Sequence, residues 1–157
     1  MTSLSLFATC PPREQRIIHL ALRLLEKHLR QPGDAFLSTH MTRDWLRLQM
    51  AGLEREVFMV LYLDNQHRLL DNETLFLDTV SHTEVHPREV VKAALRHNAA
   101  AVILAHNHPS GETTPSPADK TLTHKLVQAL GLVDIRVLDH LITGGREVFS
   151  FAEHGLL

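Results

Sequence analysis

The chain has 157 residues, with 44% hydrophobic and 22% charged side chains, 12 histidines, one cysteine and a formal net charge of −2. That length supports one globular core and excludes a second full domain, while Cys10 alone can form neither an internal disulfide nor a cysteine-rich zinc site. Any metal must therefore be held by histidine and carboxylate, and the lone cysteine fits a reducing compartment.

Charge is divided unevenly along the chain. Residues 1–50 carry 7 basic and 4 acidic side chains, and residues 51–157 carry 9 and 14, which argues against a dedicated nucleic-acid binder with a strong basic face. The N-terminus, MTSLSLFATCPP, has no Lys or Arg ahead of its apolar residues and so lacks the charged start of a secretory signal. The longest apolar run, residues 99–105, is far short of the ~20 a membrane helix needs. A cytoplasmic protein with no membrane partner is expected.

In chain order, residues 12–30 place Ile17, Ile18, Ala21, Leu22, Leu25 and Leu29 at helical spacing, with Pro12 in the first turn and Pro32-Gly33 as a stop. A shorter helix is predicted over about 39–50, closed by Gly52. Residues 56–63 (EVFMVLYL) are dense in strand formers, and Asp64-Asn65-Gln66-His67 has turn composition. Residues 68–80 predict one or two further strands. Pro87 opens the next helix and Asn98 ends it. Residues 99–105 (AAAVILA), apolar on both faces, predict a central strand covered on both sides. A loop over 106–115 leads to a helix over 116–130, and strands at 134–138, 141–143 and 148–151 complete the sheet, with Gly144-Gly145 as the last hairpin. The expected class is α/β (α+β): a single mixed, mostly antiparallel sheet with helices packed on its faces.

The chemistry concentrates in AHNHPSGETTPSPADKT, residues 105–121. His106 and His108, two apart at the exit of an apolar strand, point to one side if the backbone stays extended. Asp119, in the first turn of the following helix, could bring a carboxylate to them. Two histidines and one carboxylate leave a tetrahedral position open, as catalytic zinc sites do. Blander readings compete. Ser116-Pro117-Ala118-Asp119 is also a good helix start, with Ser116 as N-cap and Asp119 completing a capping box, and the histidines could be ordinary loop residues.

The joint pattern His106-x-His108, seven residues, Ser116, two residues, Asp119 resembles the JAMM motif of the JAB/MPN metalloprotease superfamily. The runs HNHPSG, PSPAD, LDHLITGG and SFAEHGLL resemble its RadC-like branch, from about residue 43 to the end. That resemblance implies an MPN/JAB-like, cytidine-deaminase-like sandwich over residues 41–157, with residues 1–40 as a helical extension. The short N-terminal part resembles the stand-alone form without a helix-hairpin-helix module. The resemblance further implies His106, His108 and Asp119 as ligands of one zinc, Ser116 as oxyanion donor, and a catalytic glutamate on an early strand. Glu54 and Glu56 both qualify by position, and the branch's Glu-x-Phe pattern favours Glu56. The implied reaction is hydrolysis of an amide or isopeptide bond, with Glu56 moving the proton.

Other residues carry weaker expectations. Asp139-His140 could join Ser110 in a Ser/His/Asp arrangement, but no GxSxG elbow surrounds that serine. Asp139 and His140, with His86, are instead expected to support or border the metal site. His82 and His86 are four apart, but Pro87 starts the helix after them. Arg88, Lys92 and Arg96 form a basic stripe whose default is a solvated face. Asn107 is expected to face away from the metal. The expected partner is a protein or peptide substrate. Alternatives are a nucleic-acid-associated accessory protein, for which a DNA partner is the test, and a non-catalytic interaction module. A dimer is compatible with the sequence.

Overall fold

Strand β1, Val57–Leu63, is buried along its whole length, because it lies between two other strands and is covered on both faces. The computed structural model describes residues 10–31, 35–51, 53–77 and 84–157. Around β1 stand α1 (Pro12–Leu29), α2 (Ala35–Met50), β2 (Leu69–Leu77), α3 (Pro87–Arg96), β3 (Ala101–Asn107), α4 (Pro117–Gly131), β4 (Arg136–Gly144) and β5 (Glu147–Ser150). The sheet order is β2-β1-β3-β4-β5. β3 and β4 are parallel, and the other three pairings are antiparallel. The α/β class with one mixed, mostly antiparallel sheet is therefore the one observed. The expectations for the first nine residues, Pro32-Gly33, Gly52, residues 78–80 and His82 fall outside the described residues.

Strand alternation assigns the two faces. Phe58, Val60 and Tyr62 of β1, with Val102 and Leu104 of β3, pack against Val90 and Ala94 of α3 and Leu126 and Leu130 of α4. Met59, Leu61 and Leu63, with Ala101 and Ala105, meet Trp45, Leu46 and Met50 of α2 and Leu29 of α1. Leu126 and Leu130 are fully buried, and each such side chain contributes roughly 1.5–3 kcal/mol. An N-cap is worth only about 1 kcal/mol. The apolar face of α4 thus fixes that helix to the sheet, and its capped N-terminus is free to serve the site. The row Val102, Leu104 continues into His106 on this same α3/α4 face.

Three boundaries differ from expectation, two of them for a tertiary reason. β3 runs two residues later than predicted, through His106 and Asn107, because those polar residues are paired with Phe58 of β1 and with Ile142 and Thr143 of β4. The predicted strands at 134–138 and 141–143 are one strand. The register shift opposite Val102 and Ile103 absorbs the irregularity, and Asp139 and His140 find partners instead of breaking the strand. α2 starts at Ala35 rather than near residue 39.

The hairpin glycines divide their roles. Gly145 has φ of 58° and makes the turn, whereas Gly144 lies under the loop that follows His108. A Cβ at Gly144 would sit 2.7 Å from the Gly111 carbonyl oxygen and 2.8 Å from Thr113 Cγ2. Gly144→Ala is expected to cost about 1–3 kcal/mol, read as a lower midpoint of thermal unfolding. An unchanged midpoint would show that the loop yields freely.

Candidate metal centre

The backbone geometry of β3 accounts for the histidine pair. His106 is the penultimate ladder residue and only 4% exposed, and the backbone N–H of His108 still donates to the Thr143 carbonyl at 2.8 Å. The extended run therefore persists through both imidazoles. Pro109 and Gly111, the latter with φ of 86°, then turn the chain toward α4. At the start of α4, Ser116 Oγ accepts from the Asp119 N–H at 3.0 Å, and Asp119 Oδ2 accepts from the Ser116 N–H at 2.8 Å. This capping box is the bland reading of the sequence, and it is also what aims Asp119 at the histidines. Oδ1 of Asp119 lies 3.4 Å from His106 Nε2, and Oδ2 lies 3.2 Å from His108 Nε2.

The two Nε2 atoms are 3.0 Å apart, and Glu56 Oε1 stands 3.9 Å from that of His106. Glu56, His106, His108 and Asp119 together form a cluster whose potential ligand atoms all lie within 4.8 Å of one another. Donors of a tetrahedral ion with bonds of 2.0–2.1 Å are about 3.3 Å apart. The spacing of the two histidines and the aspartate fits that figure, and Glu56 stands slightly outside it.

The hydrogen-bond network assigns both imidazole tautomers. Thr123 Oγ1 is 2.7 Å from the Asp119 carbonyl, which can only accept, so the hydroxyl donates there. It must then accept from Nδ1–H of His140, at 2.6 Å. Burial, followed by the neighbouring imidazoles, holds His140 well below the ordinary histidine pKa, so the ring is neutral and its Nε2 accepts from His106 Nδ1–H at 2.7 Å. His106 consequently turns a bare Nε2 lone pair toward the cluster. His108 does the same, because its Nδ1–H donates to the Glu112 carbonyl at 2.7 Å. Two lone pairs facing each other at 3.0 Å call for a positive charge between them. The donor set therefore fits a divalent cation.

Electrostatics agree. Burial pushes the Asp119 carboxyl up, but the His106 and His108 rings, whose Nε2 atoms donate to it whenever they carry a proton in place of an ion, outweigh burial and hold the group well below the usual carboxylate range. The Asp119 carboxylate in turn raises His108 above its ordinary value, against the opposing effect of burial. His108 thus takes its proton at a higher pH than a free imidazole does, and that proton competes with a cation for the same lone pair. The affinity of the cluster for a divalent cation is expected to fall as pH drops from about 8 to about 6, beginning above the ordinary histidine pKa of about 6.5. Calorimetric titration across that range checks this, and a pH-independent affinity would contradict it.

The remaining sequence candidates are placed as follows. Glu56, immediately before β1, joins the cluster, whereas Glu54 is exposed in a bend outside it. Ser116 is the N-cap described above. His140 stands directly behind His106. Asp139 serves the other side of its strand, where its carboxylate accepts from the N–H groups of His140 and Ala152 and from Ser150 Oγ, tying down the C-terminal turn. His86 caps α3 without a side-chain hydrogen bond. Its ring meets Phe76, which in turn meets Phe58, so it is separated from the cluster by two aromatic rings. In the basic stripe, Arg96 pairs with Glu73 and Lys92 with Glu89. Sequence reasoning missed Thr123, which joins the Asp119 carbonyl to His140. Its only local signal is a threonine four residues after the aspartate.

A cavity of about 160 Å³ adjoins His108, bounded by Arg47, Met50, Leu53, Asn107 and Thr143. A larger one of about 370 Å³ lies on the α1/α2 face beside Asp139 and Leu141. Neither opens on the cluster as a whole: the smaller includes His108 in its lining but not Glu56, His106 or Asp119, and the larger includes none of the four.

A mixed sheet that carries Glu56 before β1 and His106 and His108 at the exit of β3, with Asp119 brought in by the first turn of α4, defines an α/β domain with a candidate metal centre. Residues 36–156 match the RadC-like JAB domain family, and the chain belongs to that family. UPF0758 protein YkfG of Escherichia coli (strain K12) is 70% identical over 146 residues, covering 93% of this chain and 92% of that protein. UPF0758 protein YeeS of the same strain is 67% identical, covering 93% and 99%. UPF0758 protein PSHAa2643 of Pseudoalteromonas translucida (strain TAC 125) is 55% identical over 91% of this chain, which spans 63% of its length. Among the described residues, no helix is long and apolar enough to cross a membrane.

Proposed function

We propose that this chain is a zinc-dependent hydrolase of amide bonds, a peptidase or isopeptidase that acts on a protein or peptide substrate in the cytoplasm. The observation that carries this reading is the convergence of two bare imidazole nitrogens and the Asp119 carboxylate at 3.0–3.4 Å, with Glu56 held just beyond them. His106, His108 and Asp119 would hold the ion. A cation bound there supplies Lewis acidity, polarising a substrate carbonyl and acidifying water.

The chain's own groups supply the proton traffic. Glu56 takes a proton from the attacking water as its oxygen bonds to the carbonyl carbon, then delivers that proton to the leaving nitrogen as the C–N bond breaks. The products are a carboxylic acid and an amine. Ser116 Oγ already accepts the Asp119 N–H, which leaves its O–H to donate to the developing oxyanion. A nucleic-acid role gains no support from the α3 stripe, since Lys92 and Arg96 are paired with carboxylates.

Purified protein is expected to bind one equivalent of zinc. His108→Ala, which removes one of three donors, should abolish that binding with the fold retained, as read by metal analysis alongside circular dichroism. A folded wild type that takes up no zinc would sink the proposal.

A further inference from the structure

Glu56 has little local structure to hold it. It follows bends at Glu54 and Arg55 and precedes Val57, the first ladder residue. The β1–β3 ladder ends at the pair Phe58 and His106, and the next β3 residue, Asn107, gives its backbone register to Thr143 of β4. Its side chain supplies the missing rung. Asn107 Oδ1 accepts from the Val57 N–H at 2.7 Å, and Nδ2 donates to the Arg55 carbonyl at 2.9 Å. The partners fix the amide orientation, since an N–H only donates and a carbonyl only accepts.

These two bonds fall on the peptide groups either side of Glu56. Asn107 is 3% exposed, so water cannot readily replace either bond. By strand alternation, Asn107 also projects to the opposite side from His106 and His108. One stretch of β3 thus presents the two histidines on one face and grips the glutamate's backbone from the other.

We infer that Asn107 is the positioning residue for Glu56: its amide clamps both flanking peptide groups and so aims the carboxylate at the His106, His108 and Asp119 cluster. This rests on the role proposed above for Glu56. The clamp needs both halves of an amide. Aspartate at this position can accept from Val57 but cannot donate to Arg55, and alanine can do neither. Placement matters because a displacement of about 1 Å at a reacting group can cost about 10²-fold in rate.

The test compares wild type, Asn107→Ala and Asn107→Asp by crystallography with and without added zinc, by zinc titration, and by amide hydrogen exchange at Val57. Asn107→Ala is expected to leave the His106, His108 and Asp119 geometry and the zinc affinity unchanged, to displace or disorder the Glu56 carboxylate, and to speed Val57 exchange about tenfold. Asn107→Asp, nearly isosteric, should keep the Val57 bond, lose the Arg55 bond and shift Glu56 in the same direction, at a greater cost in stability than alanine because its carboxylate is buried against the Arg55 carbonyl. A role confined to stability would lower the unfolding midpoint and leave Glu56 in place. Superimposable Glu56 carboxylates in wild type and both variants, or the collapse of zinc affinity along with the glutamate position, would overturn the inference. A wild type that binds no zinc overturns the hydrolase reading instead, and the zinc-free crystals then still decide the Asn107 clamp.

Discussion

Glu56→Gln protein is expected to bind zinc with wild-type stoichiometry and unfold at the wild-type temperature, yet to lose amide hydrolysis by about 10²–10⁴-fold. The separation of effects follows from position. Glu56 Oε1 is 3.9 Å from His106 Nε2, farther than the 3.0–3.4 Å that separate the other donors, and its side chain keeps 34% exposure. Gln keeps the shape but has no basic oxygen to take the proton. The variant should therefore retain a substrate that wild type releases as product. Mass spectrometry of polypeptides captured by the tagged variant, followed by incubation with wild type, gives the readout. New termini generated by wild type alone bear out the role. Equal cleavage by both proteins would remove Glu56 from the mechanism.

His140→Ala is expected to produce the largest combined effect on stability and metal binding. The imidazole is fully buried, its ring stacks on Phe151 at 4.7 Å, and both nitrogens are bonded. Truncation opens a cavity and leaves His106 Nδ1–H without its acceptor, costs that together reach about 3–5 kcal/mol. It also frees His106 to rotate or change tautomer, and loss of such a support behind a ligand lowers metal affinity about 10–100-fold. Denaturant unfolding and zinc titration check the two effects separately. Wild-type affinity in a destabilised but folded variant would show that the tautomer relay does not act on the ion.

The histidine pair was legible because a strand has period two: His106 and His108 share a side as soon as the extended backbone persists, and it does. Asp119 was legible only through the whole spacing, since alone it reads as a capping residue. The structure makes the two readings one, with a single carboxylate capping α4 and facing the imidazoles. The last rungs of β3 were hidden because polarity rises at His106 and Asn107, as it does where strands end. Pairing with β1 and β4 overrides that local signal. The unity of β4 was hidden likewise, by Asp139 and His140, whose partners come from α4 and from beyond β5. The Asn107 contacts reach back 50 and 52 residues, so no local pattern could announce them.

Asp119 Oδ2 completes the α4 capping box and also faces His108, so the two duties are thermodynamically linked. For the ion proposed above, reciprocity requires that whatever steadies the first turn of α4 would tighten its binding by the same factor, and that its arrival would slow fraying of that turn equally. Ion occupancy can then be monitored at a distance from the ion. The opening rate of amides near Lys120, one turn into the helix, becomes a gauge of whether the centre is loaded.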